Sequence, residues 1–135
     1  MNSIVMPLNA GPIFVKTLYV KAKINPKDLS KLLLQIEGVT FQLEYGNILA
    51  EEEKSLLVDL KQKLSRYLSD AAKGMSMPRY LSEPQMEEIA DLLKTADRLI
   101  TRAYEHDLIL IDFVEQYEVL KLQFNQSCLW VRGKK

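Results

Sequence analysis

Apolar residues recur at alternating steps of three and four through the C-terminal third of this 135-residue chain. Every member of this heptad stripe is apolar or aromatic except His106, the only histidine in the sequence. Such spacing places the members on one side of an α-helix, where they can pack against other helices. We therefore predict a helix over about 83–126. The members of the stripe are Ile89, Leu92, Ala96, Leu99, Ala103, His106, Leu110, Phe113, Tyr117, Leu120 and Phe124.

The length of this helix is the main question that the stripe raises. Uninterrupted, the helix would contain about 44 residues and span roughly 65 Å, which is unusual in a domain of this size. A break near His106-Asp107 would give two helices of ordinary length, and a change to a strand over 117–124 is a third possibility. Because a loop usually resets the phase of such a pattern, we predict one continuous or gently kinked C-terminal helix.

Within that helix, the segment 108–114 is apolar on nearly every side, since only Asp112 is polar. A helix without a polar face must be buried on several sides. The rest of the chain offers few helices for this purpose, so a second subunit is an attractive cover. We expect 108–124 to form the centre of a homo-oligomeric or partner interface. The candidate interface residues are His106, Leu108, Ile109, Leu110, Ile111, Phe113, Val114, Tyr117, Leu120 and Phe124.

Local signals define further helices upstream. Asn25-Pro26 combines a favoured N-cap with a first-turn proline, and Gly38 is placed to end that helix. A second apolar repeat covers 48–73, and Ser82-Glu83-Pro84-Gln85 has the composition of a capping box. The fold class is therefore mainly α: a single helical domain, 1–135, folded as an antiparallel bundle of helices at about 26–37, 48–73 and 83–126, with one long C-terminal helix.

Two segments indicate a minor β element near the N-terminus. Residues 13–24 are rich in β-branched and aromatic types, although they also fit a helical stripe, and 39–45 alternate apolar with polar residues. The alternative fold is an α+β layer in which these two segments form a genuine sheet.

Composition limits the class of protein. Hydrophobic and charged shares of 47% and 27% are typical of a soluble globular chain, and the net charge is zero. No segment is long and apolar enough to span a membrane, and the first residues lack the pattern of a secretory signal. A single cysteine fits a reducing compartment, so we expect a cytoplasmic protein. No internal repeat is evident in the sequence.

Residues suited to catalysis or metal binding are few. His106 has no second histidine to complete a two-histidine metal site, and Cys128 has no neighbouring histidine or cysteine. Carboxylates at one-turn spacing, such as Glu88 and Asp91, are typical of a helix surface, and the five glycines form no phosphate cradle. We therefore expect no catalytic residue, metal or cofactor.

The sequence favours a non-enzymatic protein–protein interaction or assembly module, such as a helical adaptor or chaperone-like subunit, which self-associates. The alternative is an accessory protein that binds nucleic acid, since basic side chains lie near both ends of the chain and close in sequence to aromatic residues. The candidate nucleic-acid contacts are Lys16, Lys21, Lys23, Arg132, Lys134 and Lys135. No membrane partner is expected.

Overall fold

A computed structural model describes residues 5–7, 19–72 and 77–132 of the chain. Four helices dominate these ranges, and four short strands accompany them. The class predicted from the sequence, mainly α with a minor β element, is confirmed. In chain order the elements are β1 (Val5–Pro7), β2 (Tyr19–Lys23), α1 (Pro26–Gly46), α2 (Glu51–Ala72), β3 (Tyr80–Ser82), α3 (Glu83–Glu105), α4 (Ile111–Ser127) and β4 (Leu129–Arg132).

The strands form one antiparallel sheet in the order β1-β4-β2-β3. Ala22 in β2 lies opposite Leu81 in β3 and Trp130 in β4, and all three side chains are buried. Alternation along a strand sends neighbouring side chains to the other face, so Lys21 and Lys23 are exposed. The sheet thus has one face packed on the helices and one face in solvent.

Both predicted capping signals start helices. The Asn25 side chain accepts hydrogen bonds from the backbone N–H groups of Lys27 and Asp28 at 3.0 and 3.3 Å. Ser82 and Gln85 form a reciprocal capping box at the start of α3. These groups satisfy backbone donors that a helix N-terminus leaves without partners.

Helix α2 runs antiparallel to α3, α4 runs antiparallel to α1, and the helices bury a leucine-rich core. Ion pairs join the start of α2 to the end of α3 and the end of α2 to the start of α3. Residues near the end of α1 lie against the loop that precedes α4. Helices α1 and α3 contact each other, and each of them also contacts α2 and α4, so they form the central pair.

The two halves of the described chain repeat one another at an offset of 60 residues. Each half contains a strand, a helix, a short loop and a second helix. The non-glycine residues with positive φ, among those described, are Asn47 (49°) and Asp107 (59°), one in each loop. Buried positions of α1 recur in α3 at the same offset. They pair Leu29 with Ile89, Leu32 with Leu92, Leu33 with Leu93, Ile36 with Ala96, Val39 with Leu99, Thr40 with Ile100, and Leu43 with Ala103.

This repeat corrects the expectation that the chain has none. The paired helices share burial and loop geometry but few identical residues. Burial can be preserved by many apolar side chains, so the repeat is visible in the structure and not in the letters of the sequence.

The prediction of one long C-terminal helix is wrong, and the alternative of a break near His106-Asp107 is correct. Helix α3 ends at Glu105, His106 is its exposed C-cap, and α4 begins at Ile111. Asp107 allows the reversal because a short polar side chain tolerates the left-handed region. Ile109 of the loop is buried, whereas His106 and Leu110, the two stripe members at the break, are exposed.

Two of the predicted boundaries near the N-terminus are also wrong. Gly38 does not end α1, and the predicted strand over 39–45 is the C-terminal half of that helix. The predicted strand over 13–24 is correct for 19–23, while 13–18 lie outside the described residues. Among the helices in the described ranges, none is both long and apolar enough to cross a bilayer.

Candidate functional site

Helix α1 carries a second stripe on the side opposite the core, with two lysines at its start and three exposed apolar side chains after them. Its members follow steps of four and three, which place them on one face of the helix. Leu34 and Phe41 are 53% and 54% exposed, and Tyr45 is 89% exposed. We call this set the outer stripe of α1: Lys27, Lys31, Leu34, Gly38, Phe41 and Tyr45.

An open groove of about 570 Å³ runs between this stripe and α4. Gly38 is the last residue of the wall that α1 contributes, and Phe113 is part of the opposite wall. A Cβ added to Gly38 would find no atom within 4 Å. Packing within the chain therefore does not require glycine here, although glycine weakens a helix interior by about 1 kcal/mol relative to alanine. The groove is lined by Lys31, Leu34, Gln35, Gly38, Phe113, Gln116 and Leu120.

The start of α4 contains a second locally unfavourable choice. Leu110 occupies the N-cap, makes no capping hydrogen bond with its side chain, and is 74% exposed. Leucine is among the poorest N-cap residues because it offers no acceptor to the free backbone N–H groups. Leu110 is not among the residues that line the groove, but it precedes Phe113 of the α4 wall by three residues. The outer stripe of α1 together with Leu110, Phe113, Gln116 and Leu120 is called the α1/α4 face below.

The equivalent face of the other half, between α3 and α2, is built differently. Arg98 stands where the 60-residue offset places the counterpart of Gly38, and Glu53 is the counterpart of Phe113. Glu53 is 2% exposed and accepts hydrogen bonds from Ala50 N at 3.2 Å and Arg102 Nε at 3.1 Å. Arg98 Nε lies 3.9 Å from the same carboxylate. Charged side chains thus stand at the positions equivalent to Gly38 and Phe113.

The Glu53 carboxylate is held in its charged form. The Ala50 backbone N–H and then the Arg102 guanidinium stabilise the anion, so the pKa of Glu53 lies below its usual value of 4.5. The same hydrogen bond from Ala50 caps the N-terminus of α2. Phe113 has no side-chain acceptor and cannot cap α4 in this way. In the first half, one side chain, Glu53, thus supplies a charge, a helix cap and a polar contact between helices, and Phe113 supplies none of these three.

Polar contacts join α1 to α2 and α2 to α3. Glu44 pairs with Lys61 between α1 and α2, and Glu88 accepts from Tyr67 and Arg66 of α2 at 2.7 and 2.6 Å. Within the part of the chain that the structure describes, no ion pair or side-chain hydrogen bond joins α1 to α4. The α1/α4 face is thus held by apolar contact alone.

A tyrosine and a lysine join α4 to α3. Asp97 Oδ1 accepts from Tyr117 Oη at 2.6 Å and from Lys121 Nζ at 2.8 Å. Burial and then the Asp97 carboxylate raise the pKa of Tyr117 well above 10. Tyr117 is therefore protonated and donates to the carboxylate at any physiological pH.

The candidate interface residues fall into three environments. Ile109, Tyr117 and Phe124 belong to the core, so they are not available to a partner. Leu108, Phe113, Val114 and Leu120 are half-buried. His106, Leu110 and Ile111 are exposed, and of these Leu110 belongs to the α1/α4 face.

Sequence reasoning missed the contribution of α1 to this face. Leu34, Phe41 and Tyr45 were assigned to the end of a short helix and to a strand. The available signal was the spacing 34, 38, 41 and 45, which continues the helix that begins at Asn25. The alternation of apolar and polar residues over 39–45, which is typical of a strand, masks this helical spacing.

The candidate nucleic-acid residues are only partly brought together. Lys21 and Lys23 share the exposed face of β2, and Arg132 lies on the neighbouring strand opposite Tyr19. The Lys21 ammonium lies 4.4 Å from the centroid of the Tyr80 ring, a cation–π distance. Lys16, Lys134 and Lys135 lie outside the described residues.

Reactive groups offer little for catalysis in the described ranges. Cys128 is fully buried, and burial together with the Asp28 carboxylate raises the pKa of its thiol to about 12. Only the thiolate is a strong nucleophile, so the buried, protonated thiol of Cys128 has low reactivity. Residues 5–7, 19–72 and 77–132 contain no cluster of three histidine, cysteine or carboxylate side chains that could hold a metal ion.

Comparison with known proteins gives no further assignment. No family model matches the sequence, and neither a curated protein nor a solved structure is significantly similar to it.

Proposed function

We propose that the protein is a non-enzymatic assembly module that self-associates through its α1/α4 face. The observation that carries the proposal is the difference between two equivalent surfaces of one chain. Arg98 and Glu53 place charged groups on the α2/α3 surface, whereas the equivalent positions of the α1/α4 groove are Gly38 and Phe113, which carry no charge. The α2/α3 surface is therefore the internal reference for this proposal: it has the charged side chains that a surface facing water is expected to carry, and the α1/α4 surface lacks them at the equivalent positions.

Energetics support the same conclusion. Gly38 and Leu110 each weaken the helix that contains them, by about 1 kcal/mol per site. Natural sequences tend to break local rules of stability at functional positions. Full burial of an exposed leucine or phenylalanine side chain gains about 1.5–3 kcal/mol, so covering the remaining exposed parts of Leu34, Phe41 and Leu110 offsets losses of this size.

The surroundings of His106 and Cys128, among the described residues, support a non-enzymatic role. His106 is an exposed helix cap, and the Cys128 thiol is buried. A long apolar helical face is what adaptors and chaperone-like subunits use to hold other helices. The single, buried thiol is compatible with a reducing compartment, and the proposal includes a cytoplasmic location.

Self-association is tested by the mass of the protein in solution. Light scattering and sedimentation should reveal a dimer whose population rises with protein concentration. Because the interface is of modest size, the measurements should extend to protein concentrations on the order of hundreds of micromolar. Phe41→Lys should reduce the dimer because a charge would be buried in the interface. Val58→Lys is the matched control, since Val58 is equally exposed on α2. A wild-type protein that stays monomeric throughout contradicts the proposal.

Nucleic-acid binding is the second candidate. The observation that favours it is the shared exposed face of Lys21, Lys23 and Tyr80, a combination of charge and aromatic surface used for single strands. It ranks second because Lys21 already covers the Tyr80 ring and because the net charge of the chain is zero. Salt-dependent binding of an oligonucleotide, lost in Lys23→Glu, would favour this candidate instead.

A further inference from the structure

The charges at the two ends of the α1/α4 face differ in sign. Lys27 and Lys31 are exposed on the first half of the outer stripe. Asp112 and Glu115 are exposed on the first turns of α4. Because α4 runs antiparallel to α1, with Leu108 against Gly46, these carboxylates lie beside the second half of α1.

None of these four side chains forms an ion pair with another described residue. Each is therefore free to meet a charge outside the chain. The apolar residues of the outer stripe, Leu34, Phe41 and Tyr45, lie between the basic end and the acidic end. Gly38 lies near the middle of the stripe.

A surface with opposite charges at its two ends is complementary to itself under a twofold rotation. In a twofold dimer the same patch is used by both copies, and each contact occurs twice. Antiparallel pairing of α1 with its copy brings the basic end of one protomer to the acidic end of the other. Parallel pairing would bring like charges together, which costs free energy and suppresses that arrangement.

We infer that the occupant of the α1/α4 face is a second copy of this chain, with its α1 antiparallel and crossing near Gly38. In this arrangement Lys31 of each protomer lies against Asp112 of its partner, and Leu34 packs near the partner's Phe41. Gly38 permits close approach of the two helices at the crossing, as small residues do at helix–helix contacts. This inference depends on the proposed self-association and specifies its geometry.

The size of the face predicts a weak dimer. Helix α1 is about 30 Å long, and two helices side by side are about 20 Å wide. The face therefore offers on the order of 600 Å² on each copy. The total buried area of a dimer would be about 1,200 Å², which is at the lower limit for specific, stable interfaces. We expect dissociation constants in the micromolar range or weaker, and association that weakens as salt screens the end charges.

Mixing of charge-reversed variants tests the inference. Lys31→Glu alone places Glu against Asp112 twice, and Asp112→Lys alone places Lys against Lys31 twice. Each variant by itself should dimerise about tenfold more weakly than wild type, as expected for about 1.4 kcal/mol of lost attraction and new repulsion. A mixture of the two should dimerise as wild type does, because both contacts of the heterodimer then join opposite charges.

Controls on the opposite face remove effects of net charge. Lys94→Glu and Asp91→Lys make the same charge changes at exposed positions of α3. We expect neither change, alone or mixed, to alter the dissociation constant by more than twofold. Circular dichroism verifies that all variants keep the helical fold, so that a lost dimer is not a lost structure.

The outcomes separate this inference from the proposed function. If Phe41→Lys disrupts the dimer but mixing does not restore the charge variants, the face is used in another orientation and the inference fails alone. If the wild-type chain is monomeric at every concentration, self-association and the inference fail together.

Discussion

Gly38 in α1 and Arg98 in α3 occupy equivalent positions, 60 residues apart, in the two halves of the chain. Arg98 extends toward Glu53 and helps to close the groove between α3 and α2. Gly38 leaves the corresponding groove between α1 and α4 open. The two halves thus share the same order of strand, helix, loop and helix, but they differ in the side chains at the equivalent surface positions.

Gly38→Ala should stabilise the monomer and weaken the dimer. Alanine is better than glycine in a helix interior by about 0.8–1 kcal/mol, and the added methyl group has room in the monomer. The same methyl group would obstruct close approach of a second helix. Chemical denaturation at low protein concentration measures the gain, and sedimentation measures the loss.

Gly46→Ala is the matched control for this change. Its Cβ would lie 2.6 Å from Leu108 Cδ1, so the side chain of Leu108 would have to move. We expect no net gain in the free energy of unfolding and little effect on the dimer. Equal stabilisation by both substitutions would argue against a special role for the space around Gly38.

Leu110→Ser should also raise monomer stability while reducing association. A serine hydroxyl would accept a hydrogen bond from the first turn of α4, where the side chain of Leu110 makes none, and a good N-cap is worth about 1 kcal/mol. At the same time the α1/α4 face would lose its most exposed leucine. The measurements are thermal unfolding of the dilute protein and light scattering of the concentrated protein. A stabilised variant that dimerises as wild type does would remove Leu110 from the face.

Helix starts could be predicted from the sequence because their signals are local. Asn25 and Ser82 satisfy backbone donors within their own first turns, so the chemistry needs nothing from the rest of the fold. The end of α3 at His106 could not be predicted in this way, since the turn depends on one residue, Asp107, in the left-handed region.

The false strand over 39–45 has a physical cause that bears on the candidate site. Val39 and Leu43 face the core, while Phe41 and Tyr45 belong to the outer stripe. A helix that is apolar on two opposite faces can imitate the alternation of a strand over a few residues. The pattern that misled the sequence analysis is therefore the same pattern that forms the candidate interface, and only the fold separates the two faces.

Tyr117→Phe should destabilise the contact between α3 and α4 by about 1 kcal/mol. The substitution removes the hydrogen bond to Asp97 but keeps the buried ring, and Asp97 retains Lys121 as a partner. Urea denaturation measures the change. Tyr104→Phe, at an exposed position of α3, should change the free energy of unfolding by less than about 0.5 kcal/mol. Equal effects from the two substitutions would contradict a structural role for the Tyr117 hydroxyl.

Cys128 should report unfolding. Burial raises the pKa of its thiol to about 12, and no surface of the residue is accessible in the folded chain. A thiol reagent at neutral pH should therefore react at the rate of unfolding and quickly once denaturant is added. Mass spectrometry of the labelled protein follows the reaction. Rapid labelling of the native protein would show that β4 and the end of α4 open far more readily than their packing indicates.

Glu53 should make the stability of the protein sensitive to acid. Because its pKa is lowered in the folded chain, the ionised carboxylate contributes stability that is fully present above pH 4.5. That contribution is lost as the pH falls through the lowered pKa and the carboxylate takes up a proton. Glu53→Gln keeps an acceptor for Ala50 but removes the charge that pairs with Arg102. The variant should unfold at lower denaturant concentration at pH 7, and its stability should change less with pH below 4.5 than that of wild type. Glu52→Gln, which removes the neighbouring exposed carboxylate, should follow the wild-type pH profile, and a Glu53→Gln profile that also matches wild type would exclude the buried ion pair as the cause.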